Sequence, residues 1–159
     1  MSRRQIRIDR VDPRIPPIVD LIGELDRYMS RLYPAESNHL TDLETLASPP
    51  CRFFAARVDG AYRGCGAILV CGDYAEIKRV YVAPQARRLG LGARLMDRLE
   101  AEAMALGLSR LCIETGIFQR SALALFERAG FARRGAFGDY SQSDPYSVFL
   151  EKRIELQDK

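Results

Sequence analysis

Between Cys51 and Val82 the sequence carries three strand-like runs separated by turn dipeptides, and no other feature narrows the possible folds so far. "CRFFAARV" and "AYRGCGAILVC" are joined by Asp59-Gly60, a pair suited to the positive-φ positions of a tight hairpin, and "AEIKRVYVA" follows Gly72-Asp73. Two tight turns in succession impose an antiparallel meander. A helix, strand, helix and two closing strands come after it, so the meander must share its sheet with later strands.

The flanking segments follow from periodicity. Residues 5 to 11, "QIRIDRV", alternate as a half-buried strand does. Ile15, Ile18, Val19, Ile22, Leu25, Met29 and Leu32 mark one apolar face of a helix that Pro34 stops, and a second helix is expected over about 38 to 47, ended by "SPP". Beyond the meander, Gly92, Leu95, Met96, Leu99, Ala103 and Leu106 form a helix face closed by Gly107. "RLCIETG" reads as a short buried strand, "QRSALALFERAG" as a helix ended by Gly130, and "FARRGAF" and "YSVFLEKRI" as closing strands. The order β-α-α-β-β-β-α-β-α-β-β, with neither repeat nor linker, predicts one α+β domain over residues 1–159 built on a mixed sheet.

Composition limits the function. At 159 residues, with 47% apolar and 28% charged residues, the chain suits one globular core. A formal charge of +3 is too small to point to nucleic acid, and all but three of the 24 basic residues are arginines scattered among acids. "MSRRQIRIDR" lacks the apolar centre of a secretory signal and no run reaches the length of a membrane helix, so a cytoplasmic protein is expected. Cys51, Cys65, Cys71 and Cys112 show no CxxC spacing and His39 is the one histidine, which argues for reduced core thiols and against a metal.

The stretch "VAPQARRLGLGARL", Val82 to Leu95, is where chemistry enters. A helix start presents unpartnered N–H groups and the positive end of its dipole, and glycines let those amides approach an anion. The amides of Arg88 to Ala93 could converge on a phosphate, with Arg87, Arg88 or Arg94 adding charge; a plain strand-to-helix turn with surface arginines is the alternative. "GLGARL" followed by Glu114 is also a partial match to a dinucleotide fingerprint, but seven residues separate Val82 from Gly90 and only one βαβ unit is present.

These residues resemble the GCN5-related N-acetyltransferases (GNAT superfamily). Arg87-Arg88-Leu89-Gly90-Leu91-Gly92 fits the family's Q/R-x-x-G-x-G/A pyrophosphate motif, after the strand "RVYVAP" and before a helix. "ALALFERAGF" is similar to its second cofactor segment, with Gln119, Ala122, Leu125, Phe126, Gly130 and Phe131 in register. "PAESNH", "ETGIFQ" and "DYSQSDPYSVFLEK" further resemble a bacterial, small-molecule acetyltransferase-like branch, some members of which are labelled for indole acetic acid, a molecule without an ordinary basic amine. The resemblance implies a mostly antiparallel seven-stranded sheet flanked by about four helices, a monomer or homodimer that uses no nucleic acid and no membrane, and acetyl-CoA as cosubstrate. Direct transfer of acetyl to a small-molecule amine is implied first; protein lysine or N-terminal acetylation and a non-catalytic acyl-CoA sensor are the alternatives.

Residue roles follow from the resemblance. Acetyl-CoA is expected on Arg87, Arg88, Leu89, Gly90, Leu91, Gly92 and Ala93 through its pyrophosphate and along Val80, Tyr81 and Val82 through its pantetheine, with Gln119, Ala122 and Phe126 completing the contacts; Gln119 stands where relatives use asparagine. An alkylamine with a pKa near 10 needs a base before it can attack a thioester, and Glu76, fourteen residues before Gly90, matches the register of the catalytic glutamate in relatives. Phe126 replaces a tyrosine that would protonate the leaving thiolate, so Tyr140 is the expected donor, ahead of Ser121. Substrate contacts are expected from Tyr33, Glu36, Asn38 and His39 in one loop and from Asp139, Ser143 and Ser147 around Tyr140 in another.

Overall fold

The computed structural model describes residues 3–155; Met1 and Ser2 of the leading stretch and Lys159 lie outside them. Seven strands form one sheet: β1 (Ile6–Arg10), β2 (Cys51–Val58), β3 (Ala61–Cys71), β4 (Tyr74–Val82), β5 (Arg110–Gly116), β6 (Ala132–Arg134) and β7 (Ser147–Arg153), in the spatial order β1-β2-β3-β4-β5-β7-β6. All neighbours are antiparallel except β4 and β5. The expected α+β fold with a mostly antiparallel seven-stranded sheet is the one observed. Asp59 and Gly60 both take positive φ, 50° and 86°, as the first hairpin requires.

The helices are α1 (Pro16–Leu32), α2 (Leu43–Leu46), α3 (Leu91–Ala105) and α4 (Arg120–Arg128). Ile18, Leu21 and Ile22 of α1 pack on one sheet face, against Phe53, Ala55, Cys65 and Ala67. Met96, Leu99 and Ala103 of α3 and Phe126 of α4 cover the other, against Phe54, Ile68, Ala75, Ile77 and Leu111. Alternation along each strand thus divides one set of apolar residues between two cores.

Several boundaries differ from the sequence reading. The helix expected over 38–47 is one turn, because Asp42 accepts a hydrogen bond from the Thr45 N–H at 2.8 Å and so caps the helix there; the chain before it forms a 3-10 turn at Ala35–Ser37. "FARRGAF" yields only the three residues of β6 before the chain leaves the sheet. Val19 is exposed and Leu21 buried, since the stripe facing the sheet runs through Ile18, Leu21, Ile22 and Leu25. Cys51, Cys65 and Cys112 are buried free thiols and Cys71 is half-buried; burial pushes the Cys65 thiol up to about 12 and Cys51 to about 11, which makes both inert. Among the described residues no helix is long and apolar enough to cross a membrane.

Candidate acetyl-transfer site

The site is created where β4 and β5 part. Their parallel pairing is confined to Ala75–Leu111, Glu76–Cys112 and Ile77–Ile113, so beyond Ile77 the β5-facing edge of β4 is left without a strand partner. On its other side β4 carries a bulge: Cys65 pairs with Tyr81 and Ala67 with Lys78, so that Gly66 opposes both Arg79 and Val80. Arg79 accordingly adopts φ 59°, a conformation that a residue with a Cβ enters at a cost. Its guanidinium is buried, donating to the carboxylate of Asp26 in α1 and, at 3.2 and 2.9 Å, to the carbonyl of Thr41. The bulge is thereby tied both to α1 and to the loop leading to α2.

A cleft of about 510 Å³ opens along the free edge of β4. Val80, Tyr81 and Val82 form one wall, Arg87, Arg88, Gly90, Leu91, Gly92 and Ala93 its end, and Gln119 and Ala122 the opposite side. The structure therefore assembles eleven of the thirteen expected cofactor residues around one cleft. Of the other two, Leu89 packs with Ala86, Leu91 and Leu95, and Phe126 lines the adjoining cavity. Ser121, Leu125 and Arg128 also line the cleft and Arg94 does not; helix periodicity alone does not say which face of α4 borders a cavity. The two glycines serve different ends. Gly90 has φ 77° with open space around it, whereas a Cβ on Gly92 would stand 2.9 Å from Cδ2 of Leu125, so this glycine allows α3 and α4 to approach.

The cleft suits acetyl-CoA on its own geometry. The first turn of α3 has neither a side-chain cap nor an acidic residue, so its free N–H groups and dipole face the cleft beside Arg87 and Arg88, as a pyrophosphate needs. The unpaired edge at Val80–Val82 can take an amide-bearing arm as an added strand.

Next to the cleft, and sharing Leu25, Val80, Gln119 and Ala122 with it, is a smaller cavity of about 80 Å³. Its polar lining includes Glu76, Lys78, Glu114, His39, Thr41 and Tyr140. Glu76 is 6% exposed; Tyr140 Oη donates to its Oε2 at 2.5 Å and Lys78 Nζ lies 3.1 Å from the same oxygen. Lys78 Nζ also donates to Tyr140 Oη at 2.9 Å, closing a triangle. Burial, then the neighbouring Glu76, pushes the Tyr140 hydroxyl far above its usual range. Glu114, on the same face of β5 as Cys112, accepts from Ser147 Oγ at 2.8 Å. Its carboxyl is raised by burial above all, with Glu76 adding to the shift and Ser147, His39 and Lys78 opposing it.

Two loops meet beside this cavity. Asp144, between β6 and β7, accepts from Ser37 Oγ at 3.1 Å and meets His39 Nε2 at 2.9 Å. Its carboxyl is held below the usual range, first by the Tyr146 N–H and then by His39 and Ser37. Of the expected substrate residues, His39 lines the cavity and packs edge-on to Tyr140. Tyr33, Glu36 and Asp139 do not. Tyr33 is buried, accepts from the Phe118 N–H at 3.1 Å and fills the space beside Gly116; Glu36 and Asp139 are exposed. Glu114, Lys78 and Asp144 were missed as site residues, although Glu114 stands in the "ETG" stretch and shares Cys112's side of its strand.

A strand edge beside an anion-binding helix start, joined to a cavity lined by carboxylates, defines a site for acyl transfer from a CoA thioester. The sequence model of the acetyltransferase (GNAT) family matches residues 19–131, and the chain belongs to that family. It is 52% identical over 151 residues to an IAA acetyltransferase of Azospirillum brasilense, covering 94% of this chain and 98% of the relative. Among solved structures, a Klebsiella pneumoniae chain assigned to the acyl-CoA N-acyltransferases superposes with a TM-score of 0.79 at 36% identity, covering 94% and 98% of the two chains. The PaiA N-acetyltransferase of Thermoplasma acidophilum, solved with coenzyme A, shares the fold at a TM-score of 0.73 and 14% identity, over 94% of this chain and 99% of its own. The protein is an acetyltransferase that takes acetyl-CoA as cosubstrate.

Proposed function

We propose that the protein moves the acetyl group of acetyl-CoA directly to the amine of a small molecule. The observation that supports this most is the small size of the acceptor cavity, about 80 Å³, with the loops that carry His39 and Tyr140 tied together beside it through Ser37, His39 and Asp144, which favours a compact acceptor over a lysine side chain presented on a protein surface. Two carboxylates, Glu76 and Glu114, suit an ammonium group. Indole acetic acid, for which some members of the resembling bacterial branch are labelled, offers an indole N–H and a carboxylate but no basic amine, so it makes little use of such a pair.

In this reading the amides of Arg88 to Ala93, with Arg87 and Arg88, bind the pyrophosphate, and Val80, Tyr81 and Val82 align the pantetheine so that the thioester reaches the shared wall at Val80, Gln119 and Ala122. The acceptor loses a proton to a carboxylate, its nitrogen attacks the thioester carbon, and the carbon–sulfur bond breaks. Tyr140, whose proton is given to Glu76, acts as a positioning residue; its raised pKa makes it a poor acid, and a thiolate with a parent pKa near 8.5 can leave without one. The test is release of CoA thiol with small primary amines, lysine-containing peptides and free N-terminal peptides offered in parallel. Turnover confined to small amines supports the proposal. Faster turnover of either peptide class rejects it, and acetyl-CoA binding without turnover of any acceptor leaves a sensor.

A further inference from the structure

We infer that Glu114 of β5 takes the proton of the acceptor amine, while Glu76 of β4 is the fixed anion that anchors the site. The inference rests on the acetyl-transfer reading above and divides the work between its two carboxylates.

The geometry separates them. Glu76 Oε2 is occupied twice, by Tyr140 Oη at 2.5 Å and Lys78 Nζ at 3.1 Å, so a proton taken up by Glu76 would go to Oε1 and neutralise the carboxylate that pairs with Lys78. Glu114 has one neutral partner, the Ser147 hydroxyl at 2.8 Å. It stands one residue past the last β4–β5 pair, Ile77–Ile113, where the strands separate and the acceptor cavity meets Gln119 and Ala122. A base must lie beside that junction, because there the acceptor nitrogen and a thioester can meet.

The surroundings of Glu114 agree. Glu76 and Lys78 face it from β4, His39 from the loop after α1 and Tyr140 from the loop before β7, with Tyr33 nearby at the end of α1. Lys78 and His39 draw its proton off; burial and the Glu76 charge hold it on and prevail. Two carboxylates in one cavity, one paired with a lysine and a tyrosine and the other with a single hydroxyl, are a usual mark of divided roles. The steps balance. The ammonium gives one proton to the Glu114 carboxylate, the nitrogen–carbon bond forms and the carbon–sulfur bond breaks, the second proton leaves with sulfur as the CoA thiol, and Glu114 returns its proton to solvent.

The experiment compares wild type, Glu114→Gln and Glu76→Gln with acetyl-CoA and benzylamine, tryptamine or spermidine, following thiol release from pH 6 to about 9.5, toward the ordinary amine pKa. Glu114→Gln is expected to lower kcat/KM by roughly 10² to 10⁴ at neutral pH, with the loss shrinking as free amine accumulates, while heat stabilisation by acetyl-CoA persists. Glu76→Gln is expected to cost less and to keep the acidic limb of the profile. Carboxyl-carbon NMR of glutamate-labelled protein provides a readout that needs no acceptor: the Glu114 carboxyl should titrate above 4.5. Wild-type turnover in Glu114→Gln, an equal loss in both variants, or a Glu114 carboxyl titrating at or below 4.5 overturns the inference. Should wild type acetylate none of the three amines, the small-amine reading fails, while a Glu114 carboxyl titrating at or below 4.5 overturns the inference independently of any acceptor.

Discussion

Arg79 offers the sharpest test of how the site is built, because two of its features act in opposite directions on stability. Its guanidinium is 6% exposed and joins the β4 bulge to Asp26 and the Thr41 carbonyl. Truncation to alanine removes these charge-assisted bonds, each worth about 1.5–3 kcal/mol where both partners are buried. Asp26 is 41% exposed and regains water, so much of its share is recovered. A net loss of about 2–4 kcal/mol remains, or a fall in Tm of roughly 5 to 15 °C for a chain of this size. The backbone at φ 59° adds a second expectation. Alanine keeps the left-handed strain of about 1–2 kcal/mol and glycine does not, although glycine returns part of that gain as unfolded-chain entropy. Arg79→Gly should therefore be more stable than Arg79→Ala by about 0.5–1 kcal/mol, an inversion of the usual order inside a strand. Urea unfolding of wild type and both variants provides the assay. An Arg79→Ala protein within about 0.5 kcal/mol of wild type would show that the guanidinium ties hold little. Alanine outranking glycine would show that β4 is not bulged at Arg79 in solution.

Three further outcomes are expected. Acetyl-CoA at 100 times its Kd should stabilise wild type by about 2.7 kcal/mol, and Gly92→Asp should lose that response, since it places negative charge in the first turn of α3 and a Cβ 2.9 Å from Leu125; a folded variant that keeps the response would reject the cleft assignment. Tyr140→Phe should lower kcat several-fold by freeing Glu76 while leaving the KM for acetyl-CoA nearly constant; a change confined to the acceptor KM would instead make Tyr140 a substrate contact. Because the folded-state pKa of Glu114 is raised above 4.5, the native state binds a proton that the unfolded chain has released, so its contribution to stability is complete below 4.5 and declines as pH rises through the folded value; urea midpoints of Glu114→Gln should lack that decline and exceed wild type above the window.

What could be read in the sequence was what short-range chemistry fixes. Asp59-Gly60 specified a hairpin by its φ preferences, and the Gly90-Leu91-Gly92 stretch announced a helix start open to an anion. The extent of α2 was not legible, because Asp42 as a cap competes with equally plausible starts at Ser37 and Asn38. Nor was the bulge at Arg79. "EIKRVYV" breaks its alternation at Lys78-Arg79, but the break alone does not distinguish a bulge from a strand end, and the bulge is defined by Gly66 on a neighbouring strand. The site divides in the same way. Glu76 and the cofactor residues lie in contiguous stretches, whereas Glu114 joins Glu76 only through the parallel pairing of β4 with β5, and Asp144 reaches His39 across 105 positions of sequence. Tyr33 was drawn toward the substrate by its neighbours in the chain, yet its ring turns away to cover Gly116.

The central claim, acetyl transfer from acetyl-CoA to the nitrogen of a small amine, is tested most directly by following the acetyl group itself. With acetyl-CoA labelled at the acetyl carbonyl carbon and benzylamine, tryptamine or spermidine as acceptor, carbon NMR should show the label leaving the thioester and appearing as a carboxamide of the amine, in step with thiol release and only when active protein is present. Label recovered as free acetate, or remaining in the thioester while acetyl-CoA still stabilises the protein against heat, would contradict it.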